Sequence, residues 1–390
     1  WCYHSEPEPY ADRRVTPVPR GKVLGGSSAI NALCYIRGHA NDYDQWAAQG
    51  NPGWSWQEVL PHFQAIERDL GVQDTTQRWP VVEAWRESAR ACGLRDTADH
   101  NQGENEGMAY FRGTIRGGRR SSAAEAFLHP VRKRPNLKVV THAHARGLRF
   151  NGRRVTGIEY QLGHERRHVE ARAEVILAAG AIGSPQLLEL SGIGKASLLR
   201  RAGIGVIHER PGVGENMQDH WQVRVTYKVK DTLTMNEWTR GWRRYLMGAR
   251  YLLRKDGPMG TQTPQLCAFT KSDPAQPFAN LQYHVTAASA DRFGGPLHDW
   301  PGLSCGIAVV RPQSIGHTHI KSPDPMHHPS ILHNFLREPA AQQVAVDAIR
   351  LTRRIAQGTA LAPFSPEEYL PGPKVQSDER SEEHTSELQS

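Results

Sequence analysis

Long apolar runs are missing from this 390-residue chain. No stretch approaches the ~18 consecutive apolar residues of a membrane-crossing helix. Cysteine is scarce: Cys2, Cys34, Cys92, Cys267 and Cys305, an odd number and widely spaced. That excludes a disulfide framework or a zinc site and fits a reducing compartment. The 19 histidines show no HExxH or comparable ligand spacing. His327 and His328 are adjacent and would point to opposite faces of a strand, so no metal is expected there. Net charge is +8, but the basic residues fall in small groups such as Arg132, Lys133 and Arg134, without interleaved aromatics. A nucleic-acid partner is not expected; solvated faces with some attraction for anionic surfaces are. Internal repeats, low-complexity tracts and a GxGxxG turn are also absent.

What is present suits a large globular core: 38% apolar and 23% charged residues over a length that suggests two or so domains. Residues 21–31 read GKVLGGSSAIN. Gly25 and Gly26 let the backbone adopt positive φ and approach a flat ligand closely. Ser27 and Ser28 offer an N-cap to a following helix, whose N-terminus favours an anion, with Asn31 near the same end. Taken alone, this is a loop-to-helix cap or a cofactor cradle. Residues 174–194 read EVILAAGAIGSPQLLELSGIG. Here 175–178 predicts a buried parallel strand, Gly180 breaks it, and Ser184 and Pro185 are placed to cap and start a helix. Elsewhere the pattern predicts an extended 1–20, helices over 42–67 (with a turn at 51–54), 83–92 and 121–128, and a strand over 137–141. A hairpin is expected over 147–160, turning at Asn151 and Gly152. Past Trp221, alternating runs such as QVRVTYKV predict an antiparallel sheet.

Residues 20–46, running on through CYIRGHANDYDQW, resemble the first signature of the glucose–methanol–choline (GMC) family of flavin oxidoreductases. Residues 174–194 resemble its second signature, in the right order. PGVGENMQDH at 211–220 and the SIGHTHIKSPDP and HPSILHN segments within 314–334 are similar to later landmarks. The resemblance implies a mixed α/β (α+β) fold: an FAD-binding Rossmann-like domain with a β-meander over 1–222, and a substrate portion on an antiparallel sheet over 223–379. The family's C-terminal portion would start near 314. Residues 380–390, RSEEHTSELQS, read as a translated sequencing adapter and are expected not to be native. The chain is expected to be a fragment lacking both termini. The family's GxGxxG unit would precede it, and its catalytic His and His/Asn partner would lie beyond Glu379, so no catalytic residue is assigned here. The family's longer connection near the active-site entrance is absent between Asp69 and Leu70, implying a trimmed loop or a sequence fault.

The resemblance places flavin contacts at Gly25, Gly26, Ser27, Ser28, Asn31, Ala32, Cys34 and Gly180, with Ala145 meeting the adenine. Some relatives bind the flavin covalently through a histidine at the position of Ile30, so FAD is expected to be non-covalent. The implied reaction is oxidation of an alcohol to an aldehyde or ketone by hydride transfer to flavin N5, with a quinone or other non-oxygen carrier as acceptor. Choline dehydrogenase specifically, an oxygen-using alcohol oxidase, and a non-redox lyase or inactive fragment stay open. The fragment itself is expected to be inactive. Trp238, Trp242 and Tyr245 are candidate cage aromatics for a trimethylammonium group, with core packing the alternative; no carboxylate can be placed beside them. His220 reads as a structural histidine. A cytoplasmic or peripherally membrane-associated location is expected.

Overall fold

The structure is a computed structural model and describes residues 1–292 and 294–372. The expectations for 380–390 lie outside those residues.

A six-stranded antiparallel sheet organises the fold. Its order is Glu367–Leu370, Gln222–Lys228, Gly302–Val309, Leu281–Thr286, Leu266–Thr270 and Gly107–Tyr110. Strict alternation sorts the side chains, as a period of two requires. One face presents Val223, Val225, Tyr283, Val285, Leu303, Cys305 and Ile307 to the helices Pro80–Ala91 and Pro339–Ala356, forming the main core. Trp85 packs there against Tyr283 at 5.5 Å, and the Tyr283 hydroxyl meets Thr352 Oγ1 at 3.0 Å. The other face carries Gln222, Arg224, Thr226, Gln282, His284, Thr286 and Ser304. The strand from residues 107–110 joins this sheet, so the earlier and later parts of the chain share one core.

The expected hairpin forms: Ala143–Asn151 pairs with Arg154–Leu162, and Gly152 adopts φ 59° at the turn. Glu165–Glu170 adds a third strand, completing a meander. The expected 42–67 helix is two helices, Ala40–Ala48 and Trp56–Leu70. A capping box between Ser55 and Glu58 starts the second. Asp69 and Leu70 are its last residues, and Gly71 closes it at φ 65°. Residues 1–20 form a short antiparallel pair, Cys2–His4 with Pro17–Pro19.

Several expectations fail. Neither 137–141 nor 175–178 forms a strand. Ile176 is 79% exposed, and Leu137 and Val140 are exposed too. Neither run finds a ladder partner among the described residues, and without one a backbone gains nothing from extended geometry. Parallel pairing among those residues is limited to the two-residue pair Ile193–Gly194 with His208–Glu209 and a single bridge between Asp96 and Met108. Expected helix 121–128 shrinks to a π turn, Ala124–Leu128.

Candidate flavin and substrate site

The 21–31 segment is a turn locked by its neighbours. Gly25 is left-handed at φ 88°, Gly26 follows at 55°, and a single 3-10 turn, Gly26–Ala29, comes next. The expected helix does not form, and neither Ser27 nor Ser28 caps it. Ser27 Oγ instead accepts from the Gly21 amide at 3.2 Å, and Ser28 Oγ accepts from the Ala123 amide at 2.8 Å. Local serine bonds compete with helix capping, and here they win. Arg120 Nη1 donates to Asn31 Oδ1 at 2.6 Å and to the Ser28 carbonyl at 3.2 Å. Asn31 Oδ1 also accepts from the Leu33 amide at 3.1 Å. Arg120 was not legible as a site residue, because it reaches the loop across 89 residues.

The two glycines differ. A Cβ on Gly25 would stand 3.1 Å from the Ala124 nitrogen, so its small size serves packing. A Cβ on Gly26 would meet nothing within 4 Å, and Ser27, Ile30, Asn31 and Ala32 around it are exposed. Apolar Val23 and Ile30, close by in sequence, are exposed as well. Cys34 is half-buried against the Phe111, Cys267 and Phe269 cluster, and burial pushes its thiol up to about 12. It stays protonated and is no nucleophile.

Gly180 opens the helix Gly180–Leu190 at φ 83°, exposed and with open space where a Cβ would lie. This corrects the expected start. Pro185 lies inside the helix, and Ser184 Oγ accepts from the Ala179 amide at 3.1 Å instead of capping a later turn. Ala145 is half-buried on the strand Ala143–Asn151, beside a bulge at Arg146. That strand and the Gly180–Leu190 helix pack together, and Ser191 Oγ accepts from the Leu148 amide at 2.8 Å.

Trp1 and Tyr3 join these segments. Trp1 stacks on Tyr3 at 5.7 Å, meets His144 edge-on at 5.6 Å and carries Lys22 over its ring at 4.3 Å. Tyr3 shares a buried cluster with Ile182, two residues into the helix from Gly180. Lys22, His144 and Ile182, which lie near the glycine turn, Ala145 and Gly180 in sequence, thus gather at one hub from three distant stretches of chain.

The rest of CYIRGHANDYDQW is scaffold. Arg37 pairs with Glu67 at 2.6 Å, donates to the Asn101 carbonyl at 2.7 Å and is almost fully buried. Tyr43 donates to the Arg37 carbonyl and sits among Trp46, Trp56 and Phe63. His39 Nδ1 accepts from the Asn41 amide at 3.1 Å, capping the first helix.

The polar face of the large sheet looks toward this region, since Cys34 and Ile36 pack on Cys267 and Phe269 of that same face. One row across it is Arg224, Gly306 and His284. A Cβ at Gly306 would lie 2.2 Å from Gln222 Nε2, so the glycine makes room for Gln222 to reach His284 Nδ1 at 3.1 Å. Burial, helped by neighbouring His220, pulls His284 down to about 4, so its imidazole is neutral. With Nδ1 accepting from Gln222, Nε2 carries the proton and can donate. Burial likewise lowers His220. Arg224 donates to the Ala290 carbonyl at 3.3 Å, and no carboxylate pairs with it among the described residues. The candidate cage aromatics do not gather here. Trp238 packs on the core, while Trp242 and Tyr245 are 63% and 66% exposed, so core packing does not hold for those two.

Two buried carboxylates also escaped sequence reading. Glu8 accepts from the His333 amide (3.0 Å) and meets His333 Nδ1 at 2.9 Å. Glu189 accepts from the Ile320 amide (2.8 Å) and meets His319 Nδ1 at 2.7 Å.

Comparison with known proteins decides the family. A family model described as GMC oxidoreductase matches residues 8–222. The chain belongs to the GMC oxidoreductase family. It is 38% identical over 398 residues to the oxygen-dependent choline dehydrogenase of Serratia proteamaculans, covering 97% of this chain and 72% of that protein. The corresponding protein of Photobacterium profundum is 37% identical over 394 residues, covering 97% and 69%. Among solved structures, pyridoxine 4-oxidase from Mesorbium loti superposes with a TM-score of 0.86 at 26% identity, over 100% of this chain and 76% of that one. As a GMC oxidoreductase, this protein belongs to an FAD-using family that acts on CH–OH groups. No described helix is long and apolar enough to cross a membrane.

Proposed function

We propose that this GMC oxidoreductase holds FAD without a covalent bond and passes electrons from an alcohol to a quinone or other non-oxygen carrier. The observation that supports the flavin reading is that Lys22, His144 and Ile182, neighbours of the open Gly26 turn, Ala145 and the open Gly180 helix start, meet at the Trp1 and Tyr3 hub. In this reading Gly25, Gly26, Ser27, Ser28, Asn31, Ala32 and Cys34 border the ring system, Ala145 the adenine, and Gly180 the electropositive helix end. FAD supplies the hydride acceptor. Ile30 has no group able to bond the ring, and the Cys34 thiol is held protonated by burial. No catalytic base is assigned among the residues described.

Gln222, His284 and Arg224 would contact substrate from the sheet face. The strands Gln222–Lys228, Gly302–Val309, Leu281–Thr286 and Leu266–Thr270 contain no aspartate or glutamate. A quaternary ammonium finds no counter-charge on these strands, which favours the broad alcohol reading over choline alone. We also propose a division near residue 222, where the family match ends. No GxGxxG turn occurs in the 390 residues, so neither FAD retention nor turnover is expected of this polypeptide by itself.

Protein expressed from the complete reading frame tests the reading. Dye reduction with an alcohol panel that includes choline should exceed hydrogen peroxide release in air, and acid precipitation should free all flavin. Flavin retained in the pellet would refute the non-covalent assignment. Peroxide as the main product would make the protein an oxidase.

A further inference from the structure

The Arg243–Arg254 helix is mounted with its apolar side outward. At 100° per residue, Tyr245, Leu246, Ala249, Leu252 and Leu253 share one face. All five are exposed, Leu252 at 72% and Leu253 at 84%. The opposite side holds the helix to the protein: Met247 is buried, and the Tyr251 hydroxyl donates to the Gly118 carbonyl at 3.1 Å. A Cβ at Gly118 would lie 2.0 Å from the Lys255 carbonyl oxygen, so the helix end rests directly on that turn. An amphipathic helix on a globular protein normally turns its apolar stripe inward. Here Trp242 at one end and Met259 just past the other extend the exposed apolar surface.

Charge identifies the occupant. Residues 240–255 contain six arginines or lysines and no acid. Arg250 is paired with Asp256 at 2.7 Å. Arg243, Arg244 and Lys255 lie over Trp242, Tyr245 and Tyr251 at 5.3, 4.7 and 4.7 Å, with no carboxylate bonded to them among the described residues. A second copy of the same face would set these cations against their like. An apolar stripe flanked by cations, with Trp and Tyr at its border, matches the interface of an anionic bilayer.

We infer that the Arg243–Arg254 helix is a docking surface for an anionic lipid bilayer, with Leu246, Leu252, Leu253 and Trp242 entering the headgroup boundary. The helix stands on the turn that leads to Arg120, the residue holding Asn31 and Ser28 in the glycine turn. Docking there would put the flavin region beside the membrane, where an apolar quinone dissolves. That last link rests on the proposed acceptor; the docking surface does not.

Vesicle co-sedimentation of the 390-residue chain tests it without flavin or turnover. Binding to mixed phosphatidylcholine–phosphatidylglycerol vesicles should exceed binding to pure phosphatidylcholine by about tenfold or more, and should weaken several-fold as salt rises. The exposed pair Leu252→Asp with Leu253→Asp should abolish it. Arg243→Glu with Arg244→Glu, a second variant with no apolar change, should remove the preference for phosphatidylglycerol. Failure of the unaltered chain to bind anionic vesicles overturns the inference, as does undiminished binding by either variant. So does a lipid-free dimer, seen by sedimentation velocity, that the leucine variant disperses: a second copy would then own the face.

Discussion

The large sheet and the two runs at 137–141 and 175–178 use similar residues and end differently. Leu281–Thr286 and Gly302–Val309 put their apolar side chains on one face and are completely laddered, with Tyr283, Val285, Cys305 and Ile307 fully buried. The two runs are as apolar, yet they have no ladder, and Ile176, Leu137 and Val140 face solvent. Composition makes a strand available; a backbone partner makes it form. In the sheet, Leu266–Thr270, Leu281–Thr286 and Gly302–Val309 follow one another in sequence and bring their own partners. A parallel strand must find its neighbour through a crossover.

Breaking the closed side of this comparison should have the largest effect. Trp85→Ala empties a fully buried site between the Pro80–Ala91 helix and Tyr283, and should cost about 3–5 kcal/mol in urea unfolding. Arg37→Ala leaves Glu67 in a largely dry setting without its cation, with an expected loss of about 3 kcal/mol by the same measurement. Tyr283→Phe keeps the core volume and removes only the hydroxyl bonded to Thr352, so about 1 kcal/mol is expected.

The contact between the Gly180–Leu190 helix and His319 should respond to pH. Glu189, then Glu215, raises His319 above its ordinary 6.5. A raised histidine contributes its full stabilisation below about 6.5 and loses it as pH climbs through the folded-state value. Thermal melts should therefore show a stability decline beginning just above pH 6.5 that His319→Gln flattens; an unchanged slope would dismiss this pairing as its source. The smallest effect belongs to the open side. Ile176→Ser should shift unfolding by no more than about 0.5 kcal/mol, since nothing covers that side chain. A loss of several kcal/mol would mean that 175–178 is packed, and would erase the contrast.

Some local readings hold. The Asn151 and Gly152 hairpin and the alternation of QVRVTYKV each depend on residues a few positions apart. The site was legible as a motif but not as geometry. Ser27 and Ser28 have the composition of a helix cap, and only the proximity of Gly21 and Ala123 turns them into loop locks. Ser184 and Pro185 fit a helix start, but Gly180 had already supplied one at positive φ. Trp242 and Tyr245 were open to a cage or a core and became neither, because Met247 and Tyr251 took the inward side of their helix.

By itself, the sequence determined the family, the glycine turn that singles it out and the alternating strands of the sheet, because these are carried by residue identity and short spacing. Only the tertiary structure decided which apolar runs would be strands and which charges would be buried. It alone brought Arg120 to Asn31 across 89 residues and His333 to Glu8 across 325. A buried carboxylate or guanidinium is stable only beside a partner, and when that partner lies hundreds of residues away the chain must fold before the pair exists.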